Sequence, residues 1–124
     1  MKITRRDFLA AAGAASVLTV VNRPAAADEL TPGQYPLKLD NVRDGVLYIP
    51  KDYKAGVATP LVVMFHGAGS SGLGTSYCFP LADEFGFIVL APDSRSELTW
   101  DLVLGQYGPD VEFLQDAFRQ TMSR

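Results

Sequence analysis

The chain contains only one cysteine, Cys78, among its 124 residues. A single cysteine cannot form an internal disulfide bond, even in an oxidising compartment. Free cysteine is most often a small buried residue, and Cys78 lies in an apolar segment. We therefore expect Cys78 to be buried in the core, without a chemical role.

A long hydrophobic run is also lacking. The apolar, uncharged stretch at residues 8–21 has 14 residues, whereas a helix that spans a bilayer needs about 20. We therefore expect no stable membrane anchor. The sequence has no internal repeat and no low-complexity tract beyond its first 27 residues.

The first 27 residues have the features of an export signal. Three basic side chains precede the apolar stretch, and small alanines at residues 25–27 are typical of a cleavage site. The run around Arg5-Arg6 resembles a twin-arginine signal, whose substrates cross the membrane folded. We expect cleavage after about Ala27, a periplasmic or secreted product, and the twin-arginine export machinery as a partner.

Basic residues are scarce in the remainder of the chain. Residues 1–27 hold four of the 11 basic and one of the 14 acidic side chains, which leaves seven and thirteen, a net charge of −6. An acidic domain without a basic cluster is a poor candidate for binding nucleic acid or anionic lipid. We therefore expect no nucleic-acid partner.

The mature chain begins with the pattern of an antiparallel hairpin. Residues 28–34 are predicted to form a flexible leader segment with a turn at Pro32-Gly33. Two short strands are predicted at residues 35–39 and 46–49, joined by a polar turn at residues 41–45.

A parallel strand-helix-strand unit is predicted next. Continuous apolar runs at residues 61–65 and 87–91 are typical of strands that are buried on both faces in the middle of a sheet. Between them, residues 77–85 carry apolar side chains at positions 77, 81 and 85, which predicts a short amphipathic helix. Pro80 limits its start and Gly86 fits its C-terminal cap. The expected fold class is a three-layer α/β sheet.

The C-terminal segment predicts one more helix. Pro109 suits its first position, and Val111, Leu114, Phe118 and Met122, with Phe113 and Ala117 beside them, form one apolar stripe that needs a sheet to cover. Residues 94–108 read as a loop with a helical turn at residues 98–104. Such a helix is normally followed by a strand, and a sheet this small leaves its edges unpaired. We expect residues 28–124 to be the N-terminal part of a larger, incomplete domain.

The glycine-rich turn after the first apolar run is the candidate functional segment. It reads His66-Gly67-Ala68-Gly69-Ser70-Ser71-Gly72. Glycines let backbone N–H groups approach a ligand closely, because no Cβ atom intervenes. The simplest interpretation is that this turn only reverses the chain.

A dinucleotide site is one functional alternative. Residues 67–72 match Gly-x-Gly-x-x-Gly, and Asp93 ends the next strand 21 residues after Gly72, where an acidic residue would bind a ribose. In that fold the helix starts within the motif, so that its N-terminus faces the pyrophosphate. Here Gly74 and Pro80 delay the helix, which weakens this hypothesis.

An oxyanion hole is the other functional alternative. Acyl transfer builds negative charge on a carbonyl oxygen, and preorganised backbone N–H groups aimed at it stabilise the transition state by several kcal/mol. A strand that ends in His-Gly-x-Gly supplies such a donor in α/β-hydrolases. The predicted donors are the N–H of Ala68 and the neighbouring N–H of Gly67.

Several segments resemble one known family. Residues 46–50, 61–72, 81–93, 99–101 and 108–111 resemble exported α/β-hydrolases of the phospholipase/carboxylesterase type, close to polyhydroxybutyrate-depolymerase-like esterases. The resemblance implies an α/β-hydrolase sheet, hydrolysis of a small-molecule or polymeric carboxylic ester through an acyl-serine, and no metal or organic cofactor.

The residues that carry out the chemistry in that family are absent. The nucleophile lies in a Gly-x-Ser-x-Gly elbow, followed by an acid and then a histidine, and no such elbow occurs here. We expect the elbow after Arg124 and predict that this chain alone is inactive. His66, Asp93 and Asp101 precede any elbow and are predicted to be structural. Trp100 either lines a substrate pocket or packs as an aromatic. A non-catalytic exported binding domain remains an alternative.

Overall fold

The computed structural model describes residues 29–105 and 107–124, so the predicted export signal lies outside the described residues. Within these ranges no helix has the length and apolar character to cross a membrane. The elements in chain order are β1 Gly33–Pro36, β2 Gly45–Ile49, β3 Leu61–Val63, a 3₁₀ helix at Gly72–Cys78, α1 Phe79–Phe85, β4 Ile88–Pro92, a 3₁₀ helix at Asp101–Leu104, and α2 Pro109–Met122.

The four strands form one mixed sheet in the order β1-β2-β4-β3. β1 and β2 are antiparallel, with Tyr35 opposite Leu47. β2 also pairs antiparallel with β4, and β4 pairs in parallel with β3. The predicted hairpin and the predicted strand-helix-strand unit are therefore both present, and the fold class is α/β.

β4 forms the centre of the sheet, and all five of its residues are buried. Its side chains alternate between two hydrophobic clusters, as the two-residue period of a strand requires. Ile88 and Leu90 join the cluster that contains Ala117 of α2, while Val89 and Ala91 join the cluster of α1. The two helices thus cover opposite faces, which gives the expected three layers.

β3 differs from its prediction. It lies at the edge of the sheet rather than in the middle, and its three residues are only half-buried. Phe65, which was also predicted to be buried in this strand, lies beyond its end and is 53% exposed. An apolar run shows that a strand packs against helices on both faces, but it does not show whether both edges are paired.

The buried face of α1 also differs from its prediction. Positions 77, 81 and 85 are exposed, whereas Cys78, Phe79 and Ala82 are buried, so Cys78 does lie in the core as predicted. The phenyl ring of Phe79 stacks on Tyr48 of β2, with ring centroids 4.2 Å apart. This contact at the first residue of α1 sets the rotation of the helix, so residues 79 and 82 face the sheet.

α2 begins at Pro109 as predicted, but only Phe113 and Ala117 of the predicted stripe pack against the core cluster. Ala117 and Thr121 are buried and Phe113 packs against the core. Phe118 and Met122, from the predicted stripe, are 46% and 65% exposed. Small side chains let the helix approach β4 closely, and the bulkier apolar residues then point away from it.

The first strand and its turn are shifted relative to the prediction. β1 spans Gly33–Pro36 rather than residues 35–39, so Pro32-Gly33 does not form a separate turn. The carboxylate of Asp44 accepts hydrogen bonds from the backbone N–H groups of Lys38 and Leu39, both at 2.8 Å. Because their N–H groups bond Asp44, Lys38 and Leu39 do not extend β1, and the chain turns here into β2.

Candidate functional site

The predicted site loop, residues 67–72, follows β3 at the carboxyl end of the parallel strand pair. Ligands of α/β proteins bind at this end of the sheet. The end of β4 lies beside the loop, because β3 and β4 run in parallel with Val63 opposite Leu90. The residues after β4 therefore reach the loop and hold it.

His66 is the first of the residues that fix this loop. Its ring is buried, and the backbone N–H of Ser94 donates to Nε2 at 3.0 Å. Nε2 is therefore an acceptor, so Nδ1 carries the hydrogen and donates to the carbonyl oxygen of Gly67 at 2.8 Å. Both ring nitrogens are occupied by the backbone, as the predicted structural role requires.

Trp100 connects the loop to an apolar pocket. Its Nε1 donates to the carbonyl oxygen of His66 at 3.0 Å, and its ring packs edge-to-face on Phe65 at a centroid distance of 5.0 Å. The same two aromatic rings line a pocket of about 220 Å³, together with Leu102, Val111 and other residues. Trp100 is thus a packed aromatic and a pocket wall at once.

The far end of the loop is closed by Gly72 and Asp93. The N–H of Gly72 donates to Oδ1 of Asp93 at 2.6 Å. A Cβ atom on residue 72 would lie 2.0 Å from the carbonyl oxygen of Ala91, so only glycine fits here. Asp93 therefore braces the turn, in agreement with its predicted structural role.

Two further contacts hold the middle of the loop. Nη2 of Arg43 donates to the carbonyl oxygen of Ser70 at 3.0 Å, and its Nε donates to the carbonyl oxygen of Ser94 at 2.5 Å. The N–H of Gly69 donates to the carbonyl oxygen of Leu98 at 2.9 Å. Arg43 was not predicted to take part, because nothing local to residues 41–45 indicates a partner 27 residues away.

The N–H groups of Gly67 and Ala68 remain free within the described ranges. Both residues are exposed, and neither N–H donates to an oxygen of another described residue. The carbonyl oxygen of Gly67 is instead bonded by Ser70 N–H at 3.1 Å as well as by His66. Two neighbouring donors on a braced loop can bind a negatively charged oxygen.

Hydrogen bonds between Asp101 and Asp110 connect the loop after β4 to the start of α2. The N–H of Asp101 donates to Oδ2 of Asp110 at 2.6 Å, and the N–H of Asp110 donates to Oδ2 of Asp101 at 3.0 Å. Oδ1 of Asp110 accepts from Arg95 N–H, and the Arg95 guanidinium lies 3.5 Å from the ring centre of Phe113. Both oxygens of Asp110 thus have partners, whereas Oδ1 of Asp101 is buried and has no hydrogen-bond partner among the described residues. Asp110 was not singled out in the sequence, although an acidic residue in a first helical turn is a known capping signal.

A nucleophile paired with a base is not found in the described part of the chain. His66 bonds only backbone groups, and the Ser94 hydroxyl donates to the carbonyl oxygen of Ser96 at 2.7 Å. Among these residues there is also no group of three or more His, Cys, Asp or Glu side chains placed to bind a metal ion.

Four titratable groups with shifted pKa values lie around α1, namely Tyr48, Lys51, Cys78 and Asp83. Burial raises the pKa of the Cys78 thiol. Burial also acts to raise the pKa of Asp83, but hydrogen bonds from Lys51 N–H, Lys51 Nζ and Tyr48 OH outweigh it and lower that pKa. The hydrogen bonds that Asp83 accepts from Tyr48 and Lys51 connect α1 to the end of β2 and stabilise the fold that carries the loop.

The chain was compared with protein-family models, with curated proteins and with solved structures, and none of the three comparisons found a match.

Proposed function

We propose that this chain supplies the oxyanion loop of an exported serine hydrolase that cleaves carboxylic esters and has the α/β-hydrolase fold. The observation that carries the proposal is the pair of exposed, unbonded N–H groups at Gly67 and Ala68. They lie on a loop that Arg43, Asp93 and Trp100 hold in place. Preorganised donors of this kind stabilise charge that develops on a carbonyl oxygen, because they need no reorganisation during the reaction.

This chain supplies the N–H donors of the oxyanion hole, and residues outside it supply the nucleophile, the acid and the base. The N–H groups of Gly67 and Ala68 bind the ester carbonyl oxygen as it becomes negative. The serine nucleophile comes from a Gly-x-Ser-x-Gly elbow, which this sequence does not contain, and the acid and the histidine base come from residues that follow the elbow. The serine would form an acyl-enzyme that water hydrolyses.

The dinucleotide hypothesis has less support. The N–H of Gly69, the glycine at which such a motif approaches the pyrophosphate, already donates to the carbonyl oxygen of Leu98 at 2.9 Å. The N–H of Gly72 donates to Oδ1 of Asp93 at 2.6 Å. The same bond occupies the carboxylate that would bind the ribose. The α-helix begins only at Phe79, seven residues beyond Gly72, after a 3₁₀ helix. A non-catalytic binding domain would use the same two N–H groups to hold an anionic ligand without turnover.

The test begins with the coding DNA that follows codon 124, read in all three frames. We expect it to encode Gly-x-Ser-x-Gly, then an acid and a histidine. A protein that joins this segment to residues 1–124 is expected to hydrolyse p-nitrophenyl butyrate. Ala68→Pro, which removes one N–H donor, is expected to lower kcat by about 10²–10³-fold there.

Gly67→Ala is the matched control, because a Cβ at residue 67 meets no atom within 4 Å and the N–H is retained. Purified residues 1–124 are expected to hydrolyse no ester faster than a His66→Ala variant of the same chain. The proposal is contradicted if the following DNA encodes no elbow, or if Ala68→Pro and Gly67→Ala have equal kcat. Saturable binding of NAD to the chain would favour the dinucleotide alternative.

A further inference from the structure

We infer that Trp100 is a positioning residue for the oxyanion loop, because its indole N–H orients and polarises the peptide group that carries the Gly67 donor. Nε1 of Trp100 donates to the carbonyl oxygen of His66 at 3.0 Å, and this oxygen belongs to the same peptide group as the N–H of Gly67. The part that this N–H plays in ester hydrolysis rests on the proposed function, whereas its orientation by Trp100 can be tested in the chain alone.

The sheet does not hold this peptide group. The N–H of Ile88 donates to the carbonyl oxygen of Pro60 at 2.8 Å. Every second residue of β4 faces β3, so the donors on this side are residues 88, 90 and 92. Residue 92 is a proline and has no N–H, so the series of bonds from β4 to β3 ends before it. The carbonyl oxygen of His66 therefore depends on a side chain for its partner.

The bond from Trp100 fixes the direction of the Gly67 N–H. The peptide bond between residues 66 and 67 is trans, so its C=O and N–H lie on opposite sides of one plane. Because the carbonyl oxygen faces the indole, the N–H of Gly67 points away from Trp100. Gly67 is exposed, so this N–H is open to a ligand.

The same bond strengthens the donor. A hydrogen bond to a carbonyl oxygen draws electron density from the nitrogen of that peptide group, and cooperative strengthening of this kind amounts to about 10–30% per bond. The next peptide group shows the same arrangement, since the carbonyl oxygen of Gly67 accepts from His66 Nδ1 at 2.8 Å and from Ser70 N–H at 3.1 Å. Both candidate donors are polarised in this way, but only the N–H of Gly67 depends on Trp100.

The indole of Trp100 is itself held from two sides. Its ring packs against Phe65 and His66, with centroid distances of 5.0 Å and 4.9 Å. The next residue, Asp101, exchanges hydrogen bonds with Asp110 at the start of α2. A ring without the N–H would therefore keep its packing and lose only its hold on the peptide group.

Trp100→benzothienylalanine tests this inference, because a sulfur atom replaces the indole N–H and the ring keeps its shape. NMR of the full wild-type chain is expected to show a scalar coupling across the hydrogen bond, between the indole nitrogen and the carbonyl carbon of His66. Trp100 is the only tryptophan, so its indole signal is unambiguous. In the variant, the amide nitrogen of Gly67 is expected to shift upfield, and that of Ala68 to stay where it is.

Leu102→Ala is the matched control. Leu102 lines the same pocket as Trp100, and its side chain is apolar, so the amide nitrogen of Gly67 is expected not to move. The inference is overturned if the wild type shows no coupling, or if the amide nitrogen of Gly67 stays unmoved in the benzothienylalanine variant. Equal shifts at Gly67 and Ala68 would also overturn it, since Trp100 would then only stabilise the loop as a whole.

Turnover tests the consequence for the proposed reaction. Loss of a whole oxyanion donor lowers kcat by about 10²–10³-fold, and 10–30% of that effect on a logarithmic scale is about a two- to eightfold loss. The protein that joins the following segment to residues 1–124 is expected to lose this much kcat in Trp100→benzothienylalanine, with KM unchanged. An unchanged kcat overturns the inference. If the joined protein hydrolyses no ester, the proposed function fails, and the NMR result still decides whether Trp100 orients the peptide group.

Discussion

Replacement of Gly72 by alanine is predicted to destabilise the fold far more than the same replacement at Gly67. A Cβ at residue 72 would lie 2.0 Å from the carbonyl oxygen and 2.9 Å from the carbonyl carbon of Ala91. Ordinary contacts of a Cβ begin near 3.4 Å, so the two backbones must separate by more than 1 Å. Ala91 cannot move easily, because it is fully buried in the central strand β4 and paired with Val46.

The expected loss of stability follows from two contributions. Overpacking of a rigid core costs about 1–3 kcal/mol. Displacement of residue 72 also weakens the charge-assisted hydrogen bond from its N–H to Asp93, which contributes about 1.5–3 kcal/mol. Together they amount to about 2.5–6 kcal/mol, a large part of the roughly 5–15 kcal/mol that stabilises a typical domain. Gly67→Ala meets no atom within 4 Å and has no comparable cost.

Urea unfolding followed by the fluorescence of the only tryptophan, Trp100, measures the difference. Trp100 bonds His66, so its emission reports the loop directly. With a urea dependence of about 2 kcal/mol/M, Gly72→Ala is expected to lower the midpoint by about 1.2–3 M relative to Gly67→Ala, or to prevent folding. Equal midpoints for the two variants would refute the close approach of residue 72 to β4.

Two further predictions concern α1. The pKa of Asp83 is lowered in the folded protein, so its stabilising effect is complete above the ordinary value of 3.8 and is lost as pH falls through the folded-state pKa. The urea midpoint of the wild type is therefore expected to fall more steeply between about pH 5 and pH 2 than that of Asp83→Asn, and parallel curves would contradict this. Cys78 is buried and its thiol pKa is raised, so its reaction with Ellman's reagent is expected to be slow in the native protein and fast in urea, whereas a fast native reaction would show that α1 opens.

The order of the elements was predictable because it depends on local patterns. The apolar run at residues 87–91 became the buried strand β4, and Pro109 marked the first residue of α2. The helix faces were not predictable in the same way. Ala117 was in the predicted stripe and is buried, but Thr121 is also buried because it is small enough for close packing. Hydrophobicity alone favoured Phe118 and Met122, which are exposed.

The candidate donors at Gly67 and Ala68 could be predicted because the His-Gly-x-Gly pattern is local. The groups that hold them could be predicted only in part. His66 and Asp93 were expected to be structural, and each has a partner in the loop. Arg43 was missed, because its contact with Ser70 depends on how the turn after β1 meets the end of β4.

The contacts that brace the loop also determine when it can form. Gly72 is 21 residues from Asp93, Ser70 is 27 from Arg43, and His66 is 34 from Trp100. Closing loops of this length costs entropy that only the assembled sheet offsets. We therefore expect the arrangement of the two N–H donors to be acquired late in folding, and a short peptide with the same glycines not to reproduce it.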